Sequence, residues 1–169
     1  EQEGTYPLPE AQLDRFMFEL HVEYPSRAEE ESIVERTTGD LLPKLAAVLT
    51  GEALVLLQRL VRRVPAPKVV VEHAVGLARR RRPTDPSATA TVREFVQWGA
   101  GPRASQYLVL GAKARAAMDG RGMADLEDVD AVAPAVLRHR LVLNFTAEAA
   151  GKRAEEIVAE VMTEARRRC

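Results

Sequence analysis

The chain has 169 residues, 46% of them hydrophobic and 29% charged, a composition that supports a packed core and excludes a disordered protein. Its 24 basic and 25 acidic residues give a net charge of −1, which argues against a histone-like coat for nucleic acid and against a polybasic membrane anchor. The single cysteine, Cys169, excludes a disulfide framework and a cysteine zinc site. We therefore expect a soluble, cytoplasmic protein with no membrane span, because every apolar run is far shorter than the roughly 18 residues that a span needs.

The start of the sequence indicates a fragment. It opens on Glu1 to Gly4 without an initiator Met, a basic n-region or an apolar h-region. Residues 41–115 carry 13 basic and 4 acidic residues, so the middle of the chain is its basic part.

The first predicted element of length is a half-buried strand at residues 16–24, which follows a short helix at residues 9–15. Apolar side chains alternate with others along it until Pro25. The alternating positions are Phe16, Phe18, Leu20, Val22 and Tyr24. A strand of this length needs partners, and the remaining β-like stretches at 69–71 and 141–145 are short, so its sheet is predicted to be missing.

Helix-capping and helix-stop signals predict that most of the remaining chain is helical. Capping boxes are expected at Ser26 with Glu29 and at Thr91 with Glu94. Residues 40–48 are expected to form a loop or a short helix. The predicted helices cover residues 26–38, 50–64, 68–82, 91–98 and 102–119, then a helix that Asp125 and Asp128 begin and Pro134 kinks or divides, and a terminal helix from Thr146.

No motif for self-contained catalysis is present. The sequence has no Gly-x-Ser-x-Gly, no Gly-x-Gly-x-x-Gly and no phosphate loop, which excludes a complete hydrolase, dinucleotide enzyme or NTPase within these residues. His21, His73 and His139 lie far apart with no ligand at metal-binding spacing, so we expect structural roles for them.

Two arginines stand in unusual places. Arg103 follows Pro102 at a predicted helix start, where the helix dipole and free N–H groups favour an anion; alternatively, Arg103 extends to solvent or pairs with an acid such as Glu94. Arg15 closes the segment before the predicted strand, and by dipole logic its ordinary role is that of a helix C-terminal cation beside Asp14.

The run Arg79–Arg82 is the feature that most suggests nucleic-acid binding. Four successive helical residues point around ~300° of the helix circumference, so they do not form one groove-reading face. No aromatic or glycine-rich pattern accompanies them. A solvated helix C-terminus is therefore the favoured interpretation.

Three stretches resemble MoxR-type AAA+ ATPases. They are EQEGTYPLPEAQLDRFMFELHVEYPS at 1–26, VQWGAGPRASQYLVLGAKARAAMDGR at 96–121 and VLRHRL at 136–141. The resemblance covers nearly the whole chain, and the Walker A loop, Walker B acids and sensor-1 residue of that family would lie upstream of Glu1. It implies a mainly α fold: a helical AAA+ lid bundle preceded by the finger helix and final β-strand of a truncated α/β AAA+ core.

The resemblance also implies domain bounds and site residues. Residues 1–25 would be the remnant of the core, 26–50 a connecting helix and linker, 51–145 the lid with its sensor-2 helix, and 146–169 a C-terminal helix. Arg15 is similar to the arginine finger that reaches the γ-phosphate of ATP in a neighbouring subunit. Arg103, with Pro102 beside it, is similar to the sensor-2 arginine that reads the γ-phosphate.

For the full-length parent, the resemblance implies an ATPase that uses ATP and Mg²⁺, assembles as a homo-oligomeric ring, expected to be a hexamer, and remodels or matures protein complexes as a chaperone does. Proteins with von Willebrand factor A domains are the partners that the resemblance implies. The fragment, which lacks Walker A and Walker B, is expected to be inactive alone and to bind no cofactor. The alternative function is a non-enzymatic helical module that docks nucleic acid or an acidic partner through the basic middle third.

Overall fold

The structure is a computed structural model and describes residues 8–40 and 45–167. Its helices are α1 Glu10–Leu13, α2 Arg27–Thr37, α3 Gly51–Arg63, α4 Lys68–Arg79, α5 Ala90–Phe95, α6 Pro102–Met118, α7 Leu126–Leu137, α8 Phe145–Ala149 and α9 Ala154–Arg167. A 3-10 turn, Arg138–Arg140, follows α7, and the short strands β1 Val96–Trp98 and β2 Val142–Leu143 pair antiparallel. The fold is therefore mainly helical, as the sequence predicts.

Local capping signals in the sequence position several of these helices correctly. Ser26 accepts the N–H of Glu29 while the Glu29 carboxylate accepts the Ser26 N–H, so the capping box of α2 is confirmed. Thr50 caps α3 with a single bond, in which its hydroxyl oxygen accepts the N–H of Ala53. A further capping box, formed by Asp125 and Asp128, begins α7.

The core lies among α4, α6, α7 and α9. Small side chains on α6 are fully buried, and Gly111 allows α7 to approach closely, because a Cβ there would lie 3.1 Å from a methyl group of Val132. Larger apolar residues from the neighbouring helices fill the remaining space. The largest of these are Leu77, Leu137 and Ile157, and Leu108 of α6 packs with them.

The predicted strand at residues 16–24 is wrong. The structure has no strand there, and Val22 is 93% exposed. The backbone instead contacts α7, where the Glu19 N–H donates to the Ala135 carbonyl over 2.9 Å. Alternation of apolar residues predicts a strand only where a sheet supplies neighbours, and the described residues provide none for this segment.

Three further element predictions are corrected. The helix predicted at 68–82 ends at Arg79, and Pro134 lies inside α7 without dividing it, so of the two predicted effects of Pro134, division does not occur. The helix predicted at 91–98 is capped by Thr89 rather than Thr91, two residues earlier, and it ends where β1 begins. The Thr91 hydroxyl instead donates to Glu160 on α9.

The C-terminal prediction is also wrong in detail. Thr146 lies in the short helix α8, which Asn144 caps, and the terminal helix begins only at Ala154. Of the predicted loop or short helix at 40–48, residues 45–48 form no regular structure. Residues 41–44, like Cys169, lie outside the described residues.

The run Arg79–Arg82 is not a solvated helix end. Arg81 is fully buried, where its guanidinium donates to the carbonyls of Leu77 and Val158. Burial without an acidic partner lowers the pKa of Arg81 to about 9. Arg81 therefore joins the end of α4 to α9, and the sequence interpretation of this run is corrected.

Candidate functional site

The carboxylate of Asp14 joins three parts of the chain at one cluster. Asp14 follows α1, and its Oδ2 accepts a hydrogen bond from Arg103 Nη1, near the start of α6, over 2.6 Å. Its Oδ1 accepts from Arg140 Nε, in the 3-10 turn, over 3.0 Å. One acidic side chain therefore holds two guanidinium groups that lie 37 residues apart in the sequence.

Arg103 is the second residue of α6, whose N-cap is Gly101 and whose first residue is Pro102. No side chain caps this helix, so its free N–H groups and the guanidinium form one positive pole. Among the described residues, only Nη1 of Arg103 is engaged, which leaves Nε and Nη2 able to donate. The side chain is 41% exposed, so an anion in solvent can contact it.

Arg140 is the buried member of the cluster, with a side chain that is 1% exposed. Besides the Asp14 carboxylate, it donates through Nη2 to the carbonyls of Asp14 and Phe16 over 2.8 and 2.6 Å. It also donates to the Val136 carbonyl, and its guanidinium carbon lies 5.2 Å from the centre of the Tyr107 ring, a cation–π geometry. Burial lowers the pKa of Arg140, while the hydrogen bond that Arg140 donates to the Asp14 carboxylate opposes that shift.

Arg15 takes no part in this cluster through its guanidinium. Its side chain is exposed, and none of the described residues pairs with its guanidinium. Its backbone is fixed, however, because the Tyr107 hydroxyl donates to the Arg15 carbonyl over 2.9 Å. Arg15 follows Asp14, the C-cap residue of α1, so its ordinary role as a cation at this helix end stays a prediction, while the Asp14 carboxylate pairs with Arg103 and Arg140.

His139 lies beside Arg140 and is neutral at pH 7. Burial, followed by the neighbouring positive charge of Arg140, holds the pKa of His139 below its ordinary value. Its Nε2 lies 2.6 Å from Arg140 Nη1. The same Nε2 lies 3.1 Å from the Phe16 carbonyl oxygen, so its role as donor or acceptor depends on the ring tautomer.

The exposed guanidinium of Arg103 gives this cluster free donors for an anion in solvent. No group of three or more His, Cys, Asp or Glu in the described ranges could hold a metal ion. His73 instead contacts Asp130 at 2.8 Å, and His21 contacts Glu19 at 3.1 Å. The chemistry that this arrangement offers is charge stabilisation at an incoming anion.

Sequence reasoning found Arg15, Pro102 and Arg103 but missed the residues that organise them. Glu94, suggested as a partner of Arg103, does not contact it; Asp14 does. Arg140 lies in the VLRHRL stretch used for the resemblance, yet no role was assigned to it. The only sequence signal for Asp14 and Arg140 was that each lies inside a stretch that resembles the family. Helical spacing does not reveal their ion pair, because the two residues are 126 positions apart.

Comparisons with known proteins define the class of the lid. Residues 88–161 match the AAA lid domain family. A crystal structure described as that of an ATPase from Cytophaga hutchinsonii superposes with a TM-score of 0.89 at 29% identity, over 96% of this chain and 50% of that one. The helices from α5 to α9 are thus those of an AAA lid domain.

The chain is 37% identical to chaperone MoxR1 of Mycobacterium tuberculosis over 96% of its own length and 41% of that protein. It is 38% identical to YeaC of Bacillus subtilis over 96% of its own length and 48% of that protein, and 30% identical to protein MoxR of Methylorubrum extorquens over 85% and 45% respectively. The chain belongs to the MoxR-type AAA+ family. It spans about half the length of the curated relatives it matches or less.

Within the described ranges, no helix is both long and apolar enough to cross a lipid bilayer. The longest of them, α6, has 17 residues and carries charged side chains.

Proposed function

We propose that this chain is the C-terminal part of a longer MoxR-type ATPase, in which Arg15 is an arginine finger acting in trans and Arg103, with Pro102, is the sensor-2 element. The observation that carries this proposal is that each guanidinium keeps N–H groups that no described residue accepts, while its backbone is held in place. The backbone of Arg103 lies in α6, and the Tyr107 hydroxyl donates to the carbonyl of Arg15. Guanidinium suits the role because it is always charged and binds phosphate oxygens through two parallel N–H groups. In phosphoryl transfer, positioning and charge stabilisation supply most of the catalysis.

ATP with Mg²⁺ is the proposed substrate of the longer protein. Of the groups that would hold it, the described residues contribute Arg103 and the N-terminal N–H groups of α6. The phosphate loop, the Walker B acids and the Mg²⁺ ligands are proposed to precede Glu1 in the gene. Reading the open reading frame upstream of Glu1 tests this directly, and a frame without a phosphate loop and a Walker B strand would contradict it.

The proposed cellular role is chaperone-like remodelling or maturation of protein complexes by a cytoplasmic ring, which we take to be a hexamer. The similarity to a relative named chaperone MoxR1 supports this role. The proposed partners carry von Willebrand factor A domains. The same proposal includes the domain bounds: a core remnant at 1–25, a connecting helix and linker at 26–50, the lid at 51–145 and a C-terminal helix at 146–169.

Replacing Arg15 by Ala in the full-length protein tests the finger. We expect ATP turnover to fall by about 10³-fold, the low end for a finger supplied in trans, while nucleotide affinity stays within about threefold, because the contribution is made mainly in the transition state. Steady-state ATPase assays and binding of a fluorescent ATP analogue measure the two quantities. Arg27→Ala is the matched control, since Arg27 is an exposed arginine paired with Glu31 on α2.

Mixed rings then test the action in trans. Arg15→Ala subunits retain an intact catalytic site, and subunits that lack the Walker B acid retain Arg15. An interface that joins an intact site to an intact Arg15 should therefore recover part of the activity. Full turnover by a folded Arg15→Ala ring would contradict the finger assignment.

Arg103→Ala should lower both affinity and turnover, because a sensor of the γ-phosphate contacts the ground state as well.

A further inference from the structure

The lid holds the backbone on both sides of Arg15. Arg140 Nη2 donates to the carbonyls of Asp14 and Phe16 at 2.8 and 2.6 Å, and the Tyr107 hydroxyl donates to the carbonyl of Arg15 at 2.9 Å. Three successive carbonyl groups are thus bound by two lid side chains. Hydrogen bonds with a charged donor are about twice as strong as neutral ones, so Arg140 is the main anchor.

The same anchor is connected to Arg103. The Asp14 carboxylate accepts from Arg140 Nε and from Arg103 Nη1, and Asp14 immediately precedes Arg15 in the chain. Arg140 is buried and engages Val136 and the Tyr107 ring as well, so it cannot follow small movements of the exposed residues around it. The Asp14 carboxylate therefore ties Arg103 to the same buried anchor that holds the backbone on both sides of Arg15.

We infer that Asp14 and Arg140 are positioning residues that couple Arg103 to Arg15, so that the placement of each arginine depends on the other. The inference rests on the proposed function, because it needs Arg15 and Arg103 to act on phosphates. It adds to that function a physical link between the two arginines. Neither positioning residue needs to touch nucleotide.

Limited trypsin digestion of this chain measures the anchoring directly, because the bond after Arg15 is the one whose carbonyl Tyr107 holds. A protease needs that segment released from the lid before it can cleave. In Arg140→Met we expect cleavage at Arg15–Phe16 to accelerate at least about tenfold relative to cleavage at Arg36–Thr37 on the exposed helix α2, since several bonds are lost together. Peptide mass spectrometry of timed samples gives both rates.

Two further variants distinguish the loss of these hydrogen bonds from general misfolding. Tyr107→Phe removes only the hydroxyl and should accelerate the same cleavage about threefold, with circular dichroism unchanged. Asp128→Asn breaks a different buried ion pair of the lid and should leave the ratio of the two cleavage rates unchanged. Equal ratios in wild type, Tyr107→Phe and Arg140→Met would overturn the anchoring.

ATPase assays of the full-length protein test the coupling. Asp14→Asn should lower kcat about tenfold and change KM for ATP less than about twofold, because Arg103 keeps its own donors while Arg15 loses its alignment; misplacement of a catalytic group by about 1 Å can cost 10²-fold. Rates are expressed per folded nucleotide-binding site, so a merely structural effect of Asp14 would leave kcat unchanged.

The outcomes separate this inference from the proposed function. If Arg15→Ala loses turnover while Asp14→Asn and Arg140→Met keep wild-type kcat, the coupling is wrong and the finger stands. If Arg15→Ala keeps full turnover, both are wrong. A tenfold loss in Asp14→Asn together with the loss in Arg15→Ala supports both.

Discussion

At the scale of single residues, Asp128 illustrates how this lid accommodates a buried charge. Its carboxylate is 1% exposed and accepts hydrogen bonds from Arg121 at 2.5 and 2.8 Å, with Arg115 at 3.3 Å. The hydrogen bonds from Arg121 hold the pKa of Asp128 below its ordinary value, against the effect of burial. The group therefore stays ionised in the folded state to a lower pH than in the unfolded chain.

Asp128→Asn should lower the free energy of unfolding by about 1–2 kcal/mol at pH 7, the lower part of the range for hydrogen bonds to charged groups, because Arg121 remains in contact with solvent. A depressed carboxyl pKa contributes stability fully above the ordinary value of 3.8, and that contribution is lost as the pH falls below it. The difference between variant and wild type should therefore shrink between pH 5 and pH 3.

Urea titrations at pH 7, 5 and 3 give this comparison. The exposed Glu31, paired with Arg27 on α2, provides the control Glu31→Gln, which should change stability by less than about 0.5 kcal/mol at each pH. A stability difference for Asp128→Asn that persists unchanged at pH 3 would mean that its carboxylate charge is not what stabilises the fold.

At the scale of elements, the junction between α4 and β1 depends on a glycine. A Cβ at Gly99 would lie 2.0 Å from the carbonyl oxygen of Arg81, a backbone atom that cannot swing away as a side chain can. Gly99 therefore permits the chain leaving β1 to cross the turn after α4. The buried guanidinium of Arg81 fixes that turn from the other side, through Leu77 and Val158.

Gly99→Ala should destabilise the protein by about 3 kcal/mol or more, the upper range for overpacking, because the backbone itself must shift. Thermal unfolding followed by circular dichroism measures the loss. Gly76→Ala is the matched control: Gly76 lies inside α4 with no atom within 4 Å of a Cβ, so alanine there should stabilise by about 0.5–1 kcal/mol. Two variants of equal stability would contradict the close contact at Gly99.

The elements also show which sequence signals predict structure and which do not. Ser26, Thr50 and Asp125 begin their helices as predicted, because a cap is satisfied by residues three positions away. The alternation at 16–24 predicted a strand wrongly, since a strand depends on neighbours that are distant in sequence. The burial of Arg81 likewise depends on a distant element, α9. The sequence alone does not show this contact, so it wrongly predicted a solvated helix end for the run Arg79–Arg82.

At the scale of the whole molecule, the mainly helical fold and the family follow from long motifs, whereas the organisation of the site does not. Arg15 and Arg103 were found because each lies in a motif that resembles a family pattern. Asp14, Tyr107 and Arg140, which hold them, come together from α1, α6 and the 3-10 turn. Spacing along one helix cannot reveal contacts between three elements.

The chain as it stands should not bind Mg-ATP with micromolar affinity. One arginine at a helix N-terminus does not replace the cradle of backbone N–H groups, the lysine and the metal that hold a triphosphate. Isothermal titration calorimetry of the 169-residue chain with Mg-ATP should show no saturable heat in the micromolar range. Micromolar binding of Mg-ATP by this chain would contradict the placement of the nucleotide site in residues outside it.

The hold on residues 14–16 has a consequence for how this region can evolve. Arg140 and Tyr107 bind the main-chain oxygens of three successive residues, so these bonds depend on the spacing of the residues along the chain. Inserting or deleting one residue between Asp14 and Phe16 would displace the carbonyls together. Homologues should therefore keep the length of this segment constant.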